Sequence, residues 1–175
     1  EIKKKIKKIK KTKKKFDPKK QNEILSNLDF SLTSDQTKTL SEINHDLCSD
    51  NKMFRLLQGD VGSGKTIVSL LSAFNTINSD FQVAVMAPTE ILSRQHYLLA
   101  KKIFPKNIKI ELLSGKSTYL NKKIILDKLL KKEIDIIFGT HALFQKKVEF
   151  KKLGLIIIDE QHKFGVSQRK KLSDK

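Results

Sequence analysis

Met53-Phe54-Arg55-Leu56-Leu57-Gln58-Gly59-Asp60-Val61-Gly62-Ser63-Gly64-Lys65-Thr66 decides how this chain is read. Its first six residues have the apolar content of a buried strand. The next eight fit the pattern G-x-x-x-x-G-K-[ST], a phosphate-binding loop. Residues 66–78 then read as a helix. Gly59, Gly62 and Gly64 open backbone conformations closed to other residues. The loop, which also holds Asp60, Val61 and Ser63, can therefore turn its N–H groups inward onto phosphate oxygens. It does so at the positive end of the following helix. In such a cradle Lys65 bridges the β- and γ-phosphates and the Thr66 hydroxyl ligates magnesium. An incidental glycine turn is the alternative, and the placement between a strand and a helix argues against it.

The alternation continues downstream. Residues 82–87, 108–113, 134–138 and 153–158 are predicted strands. Residues 90–104 and 119–132 are predicted helices, and Ser34 and Asp35 are placed to cap another that runs to about Ser49. Strands alternating with helices predict an α/β fold with a mostly parallel sheet flanked by helices. Ligands in such sheets bind beyond the carboxyl ends of the strands. No internal repeat is present.

Asp159 and Glu160 follow the last strand. There Asp159 is expected to hold magnesium, directly or through water, and Glu160 to orient and deprotonate the attacking water. Two surface acids closing a strand are the alternative. Gln161 and His162 come next and are candidates to sense the γ-phosphate. Phe30 to Gln36 forms another candidate segment, because the Gln36 amide can bond N6 and N7 of adenine together. A polar residue in the first turn of a helix explains Gln36 equally well. Pro88-Thr89-Glu90, Ser114-Gly115 and Gly139-Thr140-His141 each follow a strand and offer hydroxyls or backbone N–H groups. Such groups can hold DNA phosphates without reading bases, although ordinary loops and helix caps look the same. Phe138, Phe144 and Phe150 read as core or loop packing, and His45 and His96 as surface or satisfied helix residues. One cysteine and four histidines suggest no zinc site.

The 175 residues suit one domain with a sizeable core. The start at Glu1 and the polar stop at Lys175 read as a piece of something longer. Cys48 alone forms no internal disulfide, which agrees with a reducing cytoplasmic compartment. No apolar run approaches the roughly 18 to 20 residues that span a bilayer, and no signal-peptide pattern is visible. The formal net charge is +17. Twelve lysines fall in residues 1–20 against Glu1 and Asp17. A basic surface suits a nucleic-acid partner. Lysine outnumbers arginine 33 to 3, however, and a drift in base composition gives the same bias. Ile2, Ile6, Ile9 and Phe16 share one face of a predicted basic helix, with a break at Asp17-Pro18. Residues 1–28 are read as a basic linker helix and residues 29–175 as a nucleotide-binding lobe, incomplete on its C-terminal side. The apolar face carries no bulky anchor beyond Phe16, so a membrane surface is disfavoured.

Taken together, these residues resemble superfamily 2 helicases, and within them the RecG family. Gly59 to Thr66 is similar to motif I, and Asp159-Glu160-Gln161-His162 to motif II in its DEQH form. The longer run from Asp159 to Arg169 resembles the RecG family specifically. Met86 to Leu92 with Gln95-His96 resembles its motif Ia, Gly139 to Gln145 its next DNA-facing motif, and Phe30 to Gln36 its adenine-reading segment. The resemblance spans about residues 28–170. Transcription-repair coupling factors have a similar motor, but carry Phe where this chain has Ser63 and Glu where it has Gln161.

The resemblance implies a RecA-like P-loop fold, ATP and Mg2+ as cofactors, and catalytic roles for Lys65, Asp159, Glu160, Gln161 and His162. It implies a bacterial, cytoplasmic helicase that remodels stalled forks and Holliday junctions in recombination and repair. A wedge domain is expected upstream and a second motor lobe downstream. A duplex translocase and a non-enzymatic DNA-binding fragment remain the alternatives. The motif after motif II and the second lobe's arginines are not in this sequence. The chain alone is therefore expected to bind Mg-ATP but to turn it over poorly.

Overall fold

A computed structural model describes residues 13–115, 117–145 and 147–160. They fall into two compact units that divide between Ser79 and Asp80. The first unit is helical: α1 is Pro18–Ser26, α2 is Ser34–Cys48 and α3 is Lys65–Asn78. The predicted break at Asp17-Pro18 is the start of α1. The Asp17 side chain accepts the Lys19 N–H, and Pro18 sits in the first turn, where an N–H has no helical partner. Residues 1–12, which carry Ile2, Ile6 and Ile9, lie outside the described residues.

The cap of α2 is Thr33 rather than Ser34 or Asp35. Its hydroxyl accepts the Gln36 N–H at 3.2 Å, and the Gln36 side-chain oxygen accepts the Thr33 N–H at 3.0 Å. This reciprocal pair is a capping box, which satisfies two N–H groups left without partners at a helix start. Buried amides also tie the three helices together. Asn44 donates to Gln21 at 2.9 Å, and Asn75 donates to Gln21 at 3.0 Å and to Asn44 at 2.8 Å. Inside a low-dielectric core such a network fixes one register, because a slip strands polar atoms.

Residues 53–58, expected as a strand, have no strand pairing among the described residues. Phe54 and Leu56 are 59% and 58% exposed. Apolar composition reports a tendency towards burial, whereas a strand exists only through a ladder of partners. The segment is held instead through Arg55. Its guanidinium reaches Asp46 at 2.7 Å and Glu42 at 2.7 Å, one turn apart on α2. The Asp46 hydrogen bond raises the Arg55 pKa above its ordinary value, more than partial burial lowers it.

The second unit is the sheet. Its strands are β1 (Gln82–Met86), β2 (Ile110–Leu113), β3 (Ile136–Gly139) and β4 (Leu153–Ile158), in the order β2-β3-β1-β4. Every pairing is parallel. Helices α4 (Glu90–Ile103) and α5 (Tyr119–Leu130) make the crossovers that parallel strands require. Helix α4 packs on β2 and β3, and α5 on β2. Met86 lies opposite both Gly139 and Ile158, and Leu113 opposite Gly139, so all four strands end level. The loops that follow them open along one edge. Among the described residues, no helix is long and apolar enough to cross a membrane.

At the other end of β1, Gln82 is fully buried. Its amide nitrogen donates to Leu129 O at 2.8 Å and Ile134 O at 2.9 Å, and its amide oxygen accepts the Lys152 N–H at 3.0 Å. One side chain thus satisfies three backbone groups. The β1–β4 register shifts at the same place: Gln82 pairs with Leu153, but Val83 pairs with Leu155. Gly154 fills the gap, where an added Cβ would lie 2.4 Å from the Phe81 Cβ.

Replacing Gln82 with Leu removes the side-chain partner of the Ile134 carbonyl and the Lys152 N–H, while Leu129 O keeps the Lys132 N–H. Each such group costs about 1 to 3 kcal/mol, so Gln82→Leu is expected to lower unfolding stability by roughly 2 to 4 kcal/mol in urea titrations. An unchanged urea midpoint would show that the amide is not what holds this end of the sheet.

Candidate nucleotide and DNA site

In the first unit, the glycine loop leads directly into α3. Gly62 and Gly64 have φ of 82° and 79°, left-handed values that side chains disfavour. Gly64 is the N-cap of α3, with no side-chain hydrogen bond across the helix start. The first N–H groups of α3 therefore face the loop at the positive end of the helix dipole. The Lys65 ammonium lies inside the loop and donates to Gly59 O at 2.7 Å and Asp60 O at 2.6 Å. Ser63 N donates to Asp60 O at 3.2 Å and closes the turn. Phosphate oxygens offer Lys65 stronger, charge-assisted bonds than these carbonyls. Val61 is fully exposed at the tip, and Thr66 is half-buried in the first turn of α3.

Gln36 is held against this loop. Its amide nitrogen donates to Ser63 O at 2.9 Å while its oxygen serves the capping box. A Cβ added at Gly64 would lie 2.3 Å from that nitrogen. Each atom of a primary amide has capacity for a further bond, so Gln36 keeps one donor and one acceptor position beyond these two bonds. Phe30, in the same segment, is 51% exposed.

In the second unit, the level strand ends bring together Pro88-Thr89-Glu90, Ser114-Gly115, Gly139-Thr140-His141 and Asp159-Glu160. Asp159 extends the β4 ladder through its N–H to Met86 O at 2.8 Å. Its Oδ1 accepts the Glu160 N–H at 3.0 Å, and its Oδ2 lies 2.8 Å from His96 Nε2. Glu160 has φ of 49°, a left-handed value for a residue with a side chain. Such strain persists where the surroundings fix it, and it clusters at functional turns. The Thr89 hydroxyl caps α4 by accepting the Leu92 N–H.

The Gly115 N–H, expected to face a phosphate, is taken by the Glu90 carboxylate. Lys122 donates to the Gly115 carbonyl at 2.9 Å. The nearest anion has filled the donor. Gly139 passes close to Leu143, where a Cβ would approach to 2.9 Å. Thr140 is buried and His141 is exposed. Phe138 is buried and meets Tyr97 edge-on, with ring centroids 6.2 Å apart. Gln161 and His162 lie outside the described residues.

The contact between His96 and Asp159 was not foreseen. His96 is satisfied on its helix, as expected, but by a residue 63 positions away. Local sequence carries no signal for that partner. The Gln95-His96 pair within the motif Ia resemblance was the one available hint. As for magnesium, Thr66 in the first unit and Asp159 in the second each offer a hard oxygen donor, the type of ligand that this ion takes.

The left-handed backbone at position 64 yields a test. Gly64→Ala is expected to weaken binding of a fluorescent ATP analogue by about 10-fold or more, because the left-handed backbone alone costs about 1 to 2 kcal/mol with a side chain present and the new Cβ also meets the Gln36 amide. Affinity equal to that of the unaltered chain would show that binding does not need the left-handed turn at position 64.

The DEAD/DEAH box helicase family matches residues 33–175. The chain is 51% identical over 148 residues to the ATP-dependent DNA helicase RecG of Streptococcus pneumoniae serotype 4, covering 85% of this chain and 22% of that protein. It is 47% identical over 171 residues to RecG of Aquifex aeolicus, covering 97% of this chain and 22% of the relative. A solved structure of RecG bound to a three-way DNA junction matches with a TM-score of 0.87 and 44% identity, over 94% of this chain and 23% of that one. The chain thus spans only 22% of the length of either relative. A glycine loop leading into a helix, acids at the carboxyl edge of a parallel sheet and these likenesses agree: the chain belongs to the DEAD/DEAH box helicase family and, over the segment they share, is similar to the RecG proteins.

Proposed function

We propose that this chain is the first, nucleotide-binding motor lobe of an ATP-dependent DNA helicase that remodels branched DNA in recombination and repair. The observation that carries the reading is the loop from Gly59 to Thr66. It has left-handed glycines, a lysine ammonium at its centre and a helix N-terminus behind it. The likeness to a RecG structure bound to a three-way DNA junction supports a branched substrate.

In this reading the loop N–H groups and Lys65 bind the phosphates, and Gln36 with Phe30 receives the adenine. Thr66 and Asp159 hold Mg2+, which supplies charge neutralisation at the phosphates when bound. Glu160 accepts a proton from the attacking water, while Gln161 and His162 respond to the γ-phosphate. The edge formed by Pro88-Thr89-Glu90, Ser114-Gly115 and Gly139-Thr140-His141 contacts the DNA backbone. Backbone contacts position a motor without reading sequence, as a general remodeller of forks requires. Residues 1–28 connect to a wedge domain, and residues 29–175 form the lobe. A second lobe of the parent protein completes the ATP site, and the protein works in the bacterial cytoplasm.

In the full-length protein, Lys65→Ala is expected to lower ATP turnover by about 10²-fold or more, the scale of losing one strong transition-state donor. DNA binding in a gel-shift assay should persist. Turnover equal to that of the unaltered protein would remove the loop from the mechanism.

A further inference from the structure

We infer that His96 is a positioning residue for the Asp159 carboxylate, holding it from α4 while the Glu160 N–H holds it from its own turn. The inference deepens the proposed function and rests on the reading of Asp159 as the acid that holds magnesium. His96 Nε2 lies 2.8 Å from Asp159 Oδ2, and the other oxygen, Oδ1, accepts the Glu160 N–H at 3.0 Å. The two oxygens thus have different fixed partners, one from a helix and one from the chain itself. Rotation of the carboxylate about either of its side-chain bonds breaks at least one of them.

The histidine is well placed to act as a fixed point. Its side chain is 12% exposed, against 34% for Asp159. Its neighbour Tyr97 packs edge-on against Phe138 of β3, and α4 lies against β2 and β3. The backbone of position 96 is therefore set by the core rather than by solvent. Asp159 is set by the β4 ladder through its N–H to Met86 O. A hydrogen bond between two such anchored residues fixes an orientation, which a contact between surface side chains does not. Groups that orient a metal-binding carboxylate tune metal affinity without touching the metal.

The test uses the full chain, an ATP analogue carrying a fluorophore, and magnesium varied from zero upward. His96→Leu keeps bulk and loses the donor, and His96→Gln keeps an N–H that can reach the carboxylate. His96→Leu is expected to raise the Mg2+ concentration for half-maximal nucleotide binding about 10-fold or more. It should leave metal-free binding unchanged, and His96→Gln should recover most of the loss. A normal magnesium requirement in His96→Leu would overturn the inference. So would His96→Gln impaired as severely as His96→Leu, because that marks lost packing. Asp159→Asn separates the two layers. If it leaves the magnesium requirement unchanged, the assignment of Asp159 fails and takes the inference with it. If it raises the requirement while His96→Leu does not, only the role of His96 fails.

Discussion

Everything the sheet presents depends on one constraint, the parallel register that ends four strands level. Met86 pairs with Gly139 and with Ile158, and Leu113 pairs with Gly139. A shift by one residue in any ladder would move a whole loop along the edge and turn its strand's side chains over. The register is anchored at its far end by the buried Gln82 amide and the bulge at Gly154. Its near end is closed by the Asp159 N–H on Met86 O. The chemistry at the edge is therefore placed by hydrogen bonds made at both ends of β1.

In the helical unit the glycine loop is held in shape by its own side chains. Lys65 fills the loop with its own ammonium and takes two carbonyls as partners. Gln36 ties the loop to the capping box of α2 through Ser63 O. At the sheet edge the Glu90 carboxylate holds the Gly115 N–H in the same way.

Much of this was legible in the sequence, for reasons that differ by element. Strand β4 was placed with its observed bounds because Leu153 to Ile158 is apolar throughout. Strands β2 and β3 begin two residues later than their apolar runs, at Ile110 and Ile136. Burial starts before pairing there: Ile134 is buried but lies outside the ladder, and Ile108 turns its N–H to Pro105 O. Residues 53–58 have the composition of a strand and no partner among the described residues, and composition cannot report a partner. The glycine loop was legible because its glycines, lysine and threonine have fixed local roles. Gln82 and His96 were not, since a polar residue in a strand or helix does not announce the distant group it will meet. The cap at Thr33 is present in the T-x-x-Q spacing, but Ser34 and Asp35 beside it are equally good capping types, so residue type alone does not single it out.

The central claim is that this lobe drives a motor whose substrate is branched DNA. The most direct measurement is ATP hydrolysis by the full-length protein that carries this segment, with forked DNA and with linear duplex of equal length. The account predicts much stronger stimulation by the fork. Equal stimulation by the two would contradict it and point to a translocase that moves on any duplex.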